Sequence, residues 1–310
     1  MAERENQKIN ALFHFTMHAS PEDVRETVDV LHEFKPHVVC QEAALLTEKQ
    51  AQALERTSEF FAGSPFNVHL ARHVQGIGAK LWSLERFSES ESRMLFELNG
   101  ETQALVSKAH FAFLQGSPDE ALKLFGRVVK QEAKFDSDRE REVKNNLANL
   151  QAALLKAHPE LAEEKEIRVL IVYGNGHNEI YRHAKSIGMK TARTRSYPGF
   201  DQSALVRQKV KINPEKEPAE EELAKSIVND LVQYYACHLT GFQNLADARR
   251  FTRMIVKKVN LERFRTISQT SKSNLDAGKS EVQALLSGLE EAGLPAPRTP
   301  AELNSILKKT

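Results

Sequence analysis

Val169-Leu170-Ile171-Val172-Tyr173-Gly174-Asn175-Gly176-His177 is the stretch that decides the fold. An apolar, β-branched run stops abruptly at Gly-Asn-Gly, and a histidine follows at once. Apolar character without alternation marks a strand covered on both faces, as in parallel sheets. The glycines permit a tight turn that a Cβ would obstruct. His177 is thereby delivered to the carboxyl edge of the strand, where open α/β sheets bind their ligands.

Working outward, Ile9–Thr16 holds a second β-like run, Ala11-Leu12-Phe13-His14-Phe15. Ser20-Pro21 is a helix start, a side-chain cap followed by a residue whose missing N–H costs nothing there. Val24, Val28, Leu31 and His32 keep helical spacing until Lys35-Pro36 stops the helix. His37-Val38-Val39-Cys40-Gln41-Glu42 is the next strand, which completes a βαβ unit with a right-handed crossover. On the far side of the opening stretch, Asn178–Ile187 is helical, Gly188 ends it, and Met189–Ser196 is a fourth strand.

From Thr47 to about Glu166 strand signal is scarce and helical periodicity is abundant. Gly116-Ser117-Pro118-Asp119-Glu120 is a stop followed by a capped restart, which reads as a helical hairpin. Lys211–Glu222, rich in Pro, Glu and Lys, reads as a solvated connection. Beyond it Leu223–His238, Leu245–Val259 and Val282–Leu289 keep helical spacing, and Thr299-Pro300 caps a last short helix. The expected fold is therefore α/β. It has a mainly parallel sheet with βαβ units, a large helical insertion (about 47–166) over the carboxyl edge and an all-helical C-terminal segment. The expected division is 1–212 and 213–310.

The chain has 310 residues, 41 % of them hydrophobic, which is enough for a sizeable core. Its 43 basic and 42 acidic residues leave a formal net charge of +1. That balance gives no electrostatic case for nucleic acid or an anionic membrane. The two cysteines, Cys40 and Cys237, are too few for a disulfide framework, and Cys40 reads as a core residue. Met1–Asn10 lacks the apolar centre of a signal peptide, and no run of about 18 apolar residues suggests a membrane helix. The expected compartment is the cytoplasm.

Three chemically able groups end three expected parallel strands: His18, Glu42 and His177. Two imidazoles and a carboxylate at one sheet edge form a ligand set for a divalent metal ion, Zn, Mn or Co. They can equally act without metal, one histidine as general base and the glutamate orienting it. Spacing does not separate these options, because the fold, not one helix, brings the groups together. His18 alone would read as a loop histidine; its place in the trio makes it a candidate. Gly174, Asn175 and Gly176 are candidate ligand contacts in the turn, and Asn175 tolerates a left-handed backbone there. Tyr173 reads as core, and His14, between Phe13 and Phe15, as core-facing or hydrogen-bonded. His69 and His73, four apart, share a helix face but lack a nearby acidic partner.

Thr16-Met17-His18 followed by Ser20-Pro21-Glu22-Asp23-Val24, and then Lys35-Pro36-His37-Val38-Val39-Cys40-Gln41-Glu42, resembles the opening of the TraB/Tiki and GumN families. These belong to a superfamily with erythromycin-esterase-like and ChaN-like proteins. Gly174-Asn175-Gly176-His177 resembles their second Gly-x-x-His motif. Asp138-Arg139-Glu140-Arg141-Glu142-Val143 resembles the arginine element before it, with Arg139 the better match and Arg141 the other. The resemblance spans roughly residues 9–195. It implies a metal-dependent hydrolase, a peptidase or esterase, with His18, Glu42, Arg139 and His177 as catalytic residues and Arg139 stabilising an oxyanion. The substrate would be a small molecule or a peptide. The same superfamily implies an alternative, a non-catalytic binding module or regulator that captures a peptide or haem. Two residues depart from the pattern: Phe15 stands where the family has glycine, and His37 where it has aspartate. A phenyl ring at 15 is expected to narrow or block the site. The helical tail is not explained by the resemblance; its apolar positions need a partner surface, which could be a second copy of the chain.

Overall fold

The computed structural model describes residues 8–16, 21–42, 46–57, 65–174, 176–195, 202–240 and 245–309. In chain order the first elements are β1 (Lys8–Thr16), α1 (Pro21–Phe34), β2 (Val38–Gln41), α2 (Glu48–Thr57), α3 (Pro65–Gly76) and β3 (Lys80–Trp82). Two long helices follow, α4 (Glu89–Leu114) and α5 (Pro118–Ala148), then α6 (Leu150–Ala157) and a 3-10 turn, Pro159–Glu163. Next come β4 (Glu166–Gly174), α7 (Asn178–Ser186) and β5 (Lys190–Arg195). The remainder is helical: α8 (Gln202–Ile212), α9 (Glu220–Leu239), α10 (Leu245–Val256), α11 (Leu261–Asp276), α12 (Glu281–Glu291) and α13 (Pro300–Lys308).

The five strands form one sheet, wholly parallel, in the order β3-β2-β4-β1-β5. The four expected strands share that sheet. Two features differ from the sequence reading. β3 lies inside the stretch read as helical; three residues are too few for periodicity to register. β4 is wedged between β1 and β2, so the N-terminal βαβ unit is split by a strand that arrives more than a hundred residues later.

Because successive side chains point to opposite faces, each central strand feeds two layers. Phe13, Phe15, Ile171 and Tyr173 point to the face covered by Val143, Leu147, Leu150 and Leu154 of α5 and α6. Val39, Leu170 and Val172 point to the face covered by Leu31 of α1 and Leu70 of α3. These side chains are all within 2 % of full burial, and each aliphatic or Phe side chain among them contributes about 1.5–3 kcal/mol of transfer free energy. His14 Nε2 lies 3.0 Å from Thr27 Oγ1, and that hydroxyl donates to the Asp23 carbonyl, so His14 is the donor in this buried pair. The sheet ends at β5, whose Lys190, Arg193 and Arg195 charge an edge that would otherwise invite further pairing.

The chain divides into two compact units, one of residues 1–96 and 136–199, the other of 97–135 and 200–310. The first holds the sheet. The second is helical, with a core that joins Phe113 and Phe125 of α4 and α5 to Ile227, Phe251, Phe264 and Leu289 of the C-terminal helices. The partner surface that the tail requires is thus supplied by residues 97–135 of the same chain. Thr299 caps α13 by accepting from the Glu302 N–H, with Pro300 at the first helical position. Among the described residues no helix is long and apolar enough to cross a membrane.

Candidate functional site

The carboxyl ends of β2, β3 and β4 bring a set of charged groups into one buried cluster. Glu42 follows directly on β2, and its N–H extends the ladder by donating to the Val172 carbonyl at 2.8 Å. Its carboxylate points to the face of Tyr173. There Oε2 accepts the Gly174 N–H at 2.7 Å, and Oε1 accepts from Arg139 Nη2 at 3.0 Å. A Cβ at Gly174 would lie 3.0 Å from Glu42 Oε2, so the glycine is what allows the carboxylate to reach that backbone N–H. The turn beyond it is closed by the His177 N–H, which donates to the Gly174 carbonyl at 3.1 Å. Gly176 is less demanding, since a Cβ there would meet nothing within 4 Å.

His177 is held between two carboxylates. Nδ1 lies 3.0 Å from Glu140 Oε1 and Nε2 lies 3.3 Å from Glu42 Oε1. Burial by itself would lower the pKa of this imidazole. Glu42 and Glu140 overcome that penalty, with Asp136 adding to them, and push the pKa up to about 10. Asp136, Arg139, Glu140 and Val143 sit at helical positions i, i+3, i+4 and i+7 on α5, so one helix face carries the ions at its upper end and Val143 below.

Arg139 is committed to two acids. Besides Glu42, it holds Glu85 through Nη2 to Oε1 at 2.6 Å and Nε to Oε2 at 3.2 Å, a two-pronged pairing that suits its planar fork. The Glu85 side chain is 0 % exposed. Its burial raises the carboxyl pKa, and Arg139 opposes that shift only in part. The cluster counts three carboxylates, Glu42, Glu85 and Glu140, against the two cations Arg139 and His177. Tyr173 packs edge-on to His177 with ring centroids 5.8 Å apart; its hydroxyl is buried with no hydrogen-bond partner among the described residues, and burial raises its pKa well above the usual phenol range.

Of the candidates read from sequence, Glu42, Arg139, Gly174 and His177 converge, while His18 and Asn175 lie outside the described residues. Arg141 is exposed and pairs with Asp138 three residues before it. Among the described residues no group of three or more His, Cys, Asp or Glu is arranged to hold a metal ion. Phe15 is fully buried on the face that also carries Tyr173, its register partner in β4. Glu85 and Glu140 were not anticipated. Glu85 follows the short apolar run Leu81-Trp82-Ser83-Leu84 much as Glu42 follows β2, and Glu140 adjoins Arg139; both signals were present but weak. Compared with protein-family models, curated proteins and solved structures, the chain gives no match.

Proposed function

We propose that the carboxyl edge of the sheet is a hydrolytic centre that cleaves an ester or amide with the help of a divalent metal ion, in the manner of the Tiki-type proteases and erythromycin-esterase-like enzymes that the sequence motifs resemble. The observation that carries this reading is the line Glu140–His177–Glu42, buried at Glu140 and His177 and partly exposed at Glu42, with separations of 3.0 and 3.3 Å. A carboxylate on Nδ1 fixes the tautomer and turns Nε2 toward the reacting side, the usual support for a histidine ligand. Adjacent ligands of a tetrahedral ion with bonds of about 2.0–2.1 Å lie roughly 3.3–3.4 Å apart, so Nε2 and Glu42 Oε1 fit two such positions. His177 and Glu42 would hold the ion, with His18 the third ligand implied by the resemblance. When bound, the ion lowers the pKa of a coordinated water and polarises the scissile carbonyl.

The chain's own residues then divide the work. Glu140 orients His177. Arg139 and the Gly174 N–H fix the Glu42 carboxylate from two sides. Arg139, occupied by two acids, serves Glu42 here rather than a distant oxyanion. Without an ion the same line keeps a proton on His177, which makes it a general acid and Glu42 the base. A second reading, a non-catalytic module that captures a peptide or haem, is favoured by Phe15, whose buried ring fills space that a glycine would leave open.

The test is metal content, measured by elemental analysis on protein purified without added metal and again after equilibration with Zn, Mn or Co. The expected result is about one ion per chain, abolished by His177→Ala and weakened about 10–100-fold by Glu140→Gln. Hydrolysis of an activated ester should fall with metal content. Failure of the wild type to take up any of the three ions would remove the metal from the reading. Ester hydrolysis unaffected by His177→Ala would place the chemistry elsewhere.

A further inference from the structure

The opposite end of the sheet, where β2, β3 and β4 begin, holds a cavity of about 600 Å³. That volume lies within the range of small-molecule sites, roughly 300–1,000 Å³. Its floor is apolar, with Leu31, Ala79 and Leu161 all buried. Its walls carry three permanent cations, Lys35, Lys80 and Arg168. The carboxylate that lines it, Glu160, is engaged by Lys80 at 3.5 Å.

Arg168 is the decisive residue. Its Nε donates to the Lys35 carbonyl at 2.7 Å, which pins the guanidinium in place. Its backbone N–H donates to His37 Nδ1 at 3.2 Å, so the imidazole is locked as an acceptor on that side. The terminal amino groups of Arg168 and the Lys35 ammonium find no hydrogen-bond partner among the described residues. A cation just past the end of α1 also offsets the carbonyl dipoles of that helix, which accounts for Lys35. It does not account for Arg168 and Lys80, which stand on strands.

We propose that this cavity is a second ligand site, distinct from the His177 cluster, that takes a small organic carboxylate with an apolar body. The tail lies on Leu31, Ala79 and Leu161. The carboxylate meets the free side of the pinned Arg168 fork, with Lys35 beside it. His37 registers occupancy: its pKa is lowered by burial and then by the Arg168 charge, Glu164 at 3.6 Å from Nε2 opposes that shift, and a bound anion beside Arg168 adds to the opposition.

The probe is octanoate, with octanol and octylamine as controls of equal tail length, titrated calorimetrically and by NMR of the His37 ring into the full chain. Octanoate should saturate, bind at least about tenfold tighter than octanol, and move the His37 resonances. Octylamine should bind more weakly than octanol. Arg168→Gln and Lys35→Gly should each loosen octanoate about tenfold without changing octanol. Lys35 has a φ of 49°, so glycine relaxes the backbone there and removes the charge without endangering the fold. The proposal is overturned by any of four results: no saturation by about 10 mM, equal affinity for octanoate and octylamine, unchanged octanoate affinity in both variants, or binding that leaves His37 unmoved.

Discussion

Arg139→Met removes a guanidinium that makes three contacts to two carboxylates, at 2.6 and 3.2 Å to the buried Glu85 and at 3.0 Å to the partly buried Glu42. Met keeps most of the volume and none of the charge. Glu42 retains His177 and the Gly174 N–H, but Glu85, 0 % exposed, is left without its cation. Breaking a buried pair by deleting one partner costs about 3–5 kcal/mol, a large part of the roughly 5–15 kcal/mol that keeps a protein folded. Replacing both partners removes the stranded charge, so Arg139→Met/Glu85→Leu should recover about 2 kcal/mol or more of the loss. Urea unfolding followed by tryptophan fluorescence reads this directly, because the chain has one tryptophan, Trp82, and it is buried in the sheet unit beside the cluster's strands. The deficit of the single variant should also shrink between pH 8 and pH 5. Burial already raises the Glu85 pKa, and a protonated Glu85 no longer strands a charge. A single variant within about 1 kcal/mol of wild type, or a double variant no better than the single, would refute the claim that this pair is buried and mutually dependent.

His177 holds its proton more tightly in the folded than in the unfolded chain, with a pKa moved from 6.5 to about 10. Its contribution is therefore complete below about pH 6.5 and is lost as the pH climbs toward 10, at no more than about 1.4 kcal/mol per pH unit; melting temperatures across that window should fall, and more gently in His177→Asn. Gly174→Ala sets a methyl 3.0 Å from Glu42 Oε2, so it should cost about 1–2 kcal/mol and lower metal uptake together with stability, as thermal melts and elemental analysis would show. A chain ending at residue 212 loses Ile227, Phe251, Phe264 and Leu289 and uncovers Phe113 and Phe125; size-exclusion chromatography should find it aggregated, and a monodisperse product with unchanged melting would contradict the shared core.

Legibility in the sequence followed burial. β4 and β2 announced themselves because central parallel strands must be apolar on both faces, and β1 because of its alternating aromatics. β3 was silent because Lys80-Leu81-Trp82 is too short to display a period, and with it went Glu85, whose role depends on being the residue after a strand. The position of β4 between β1 and β2 was silent for a different reason: parallel pairing leaves no mark of neighbour identity when strands such as β2 and β4 are apolar on both faces. Glu42, His177 and Arg139 were legible as charged groups at strand ends or in a motif. Glu140 was not, because in Asp138-Arg139-Glu140-Arg141-Glu142 every residue is charged and only the helix phase decides which ones turn inward.

The wedged strand also governs how the molecule can be made. β2 is complete at residue 41 and β1 before it, yet the strand that joins them ends at residue 174. At roughly 5–20 residues per second, about 7–27 s pass before it has been synthesised. Throughout that interval two apolar strands present unsatisfied edges with an empty slot between them, and their pairing must wait for a segment some 158 residues away in the chain, as the Lys8↔Glu166 register shows. The nascent chain is therefore most open to edge-to-edge aggregation, and most in need of a holding chaperone, while its long central helices are being translated.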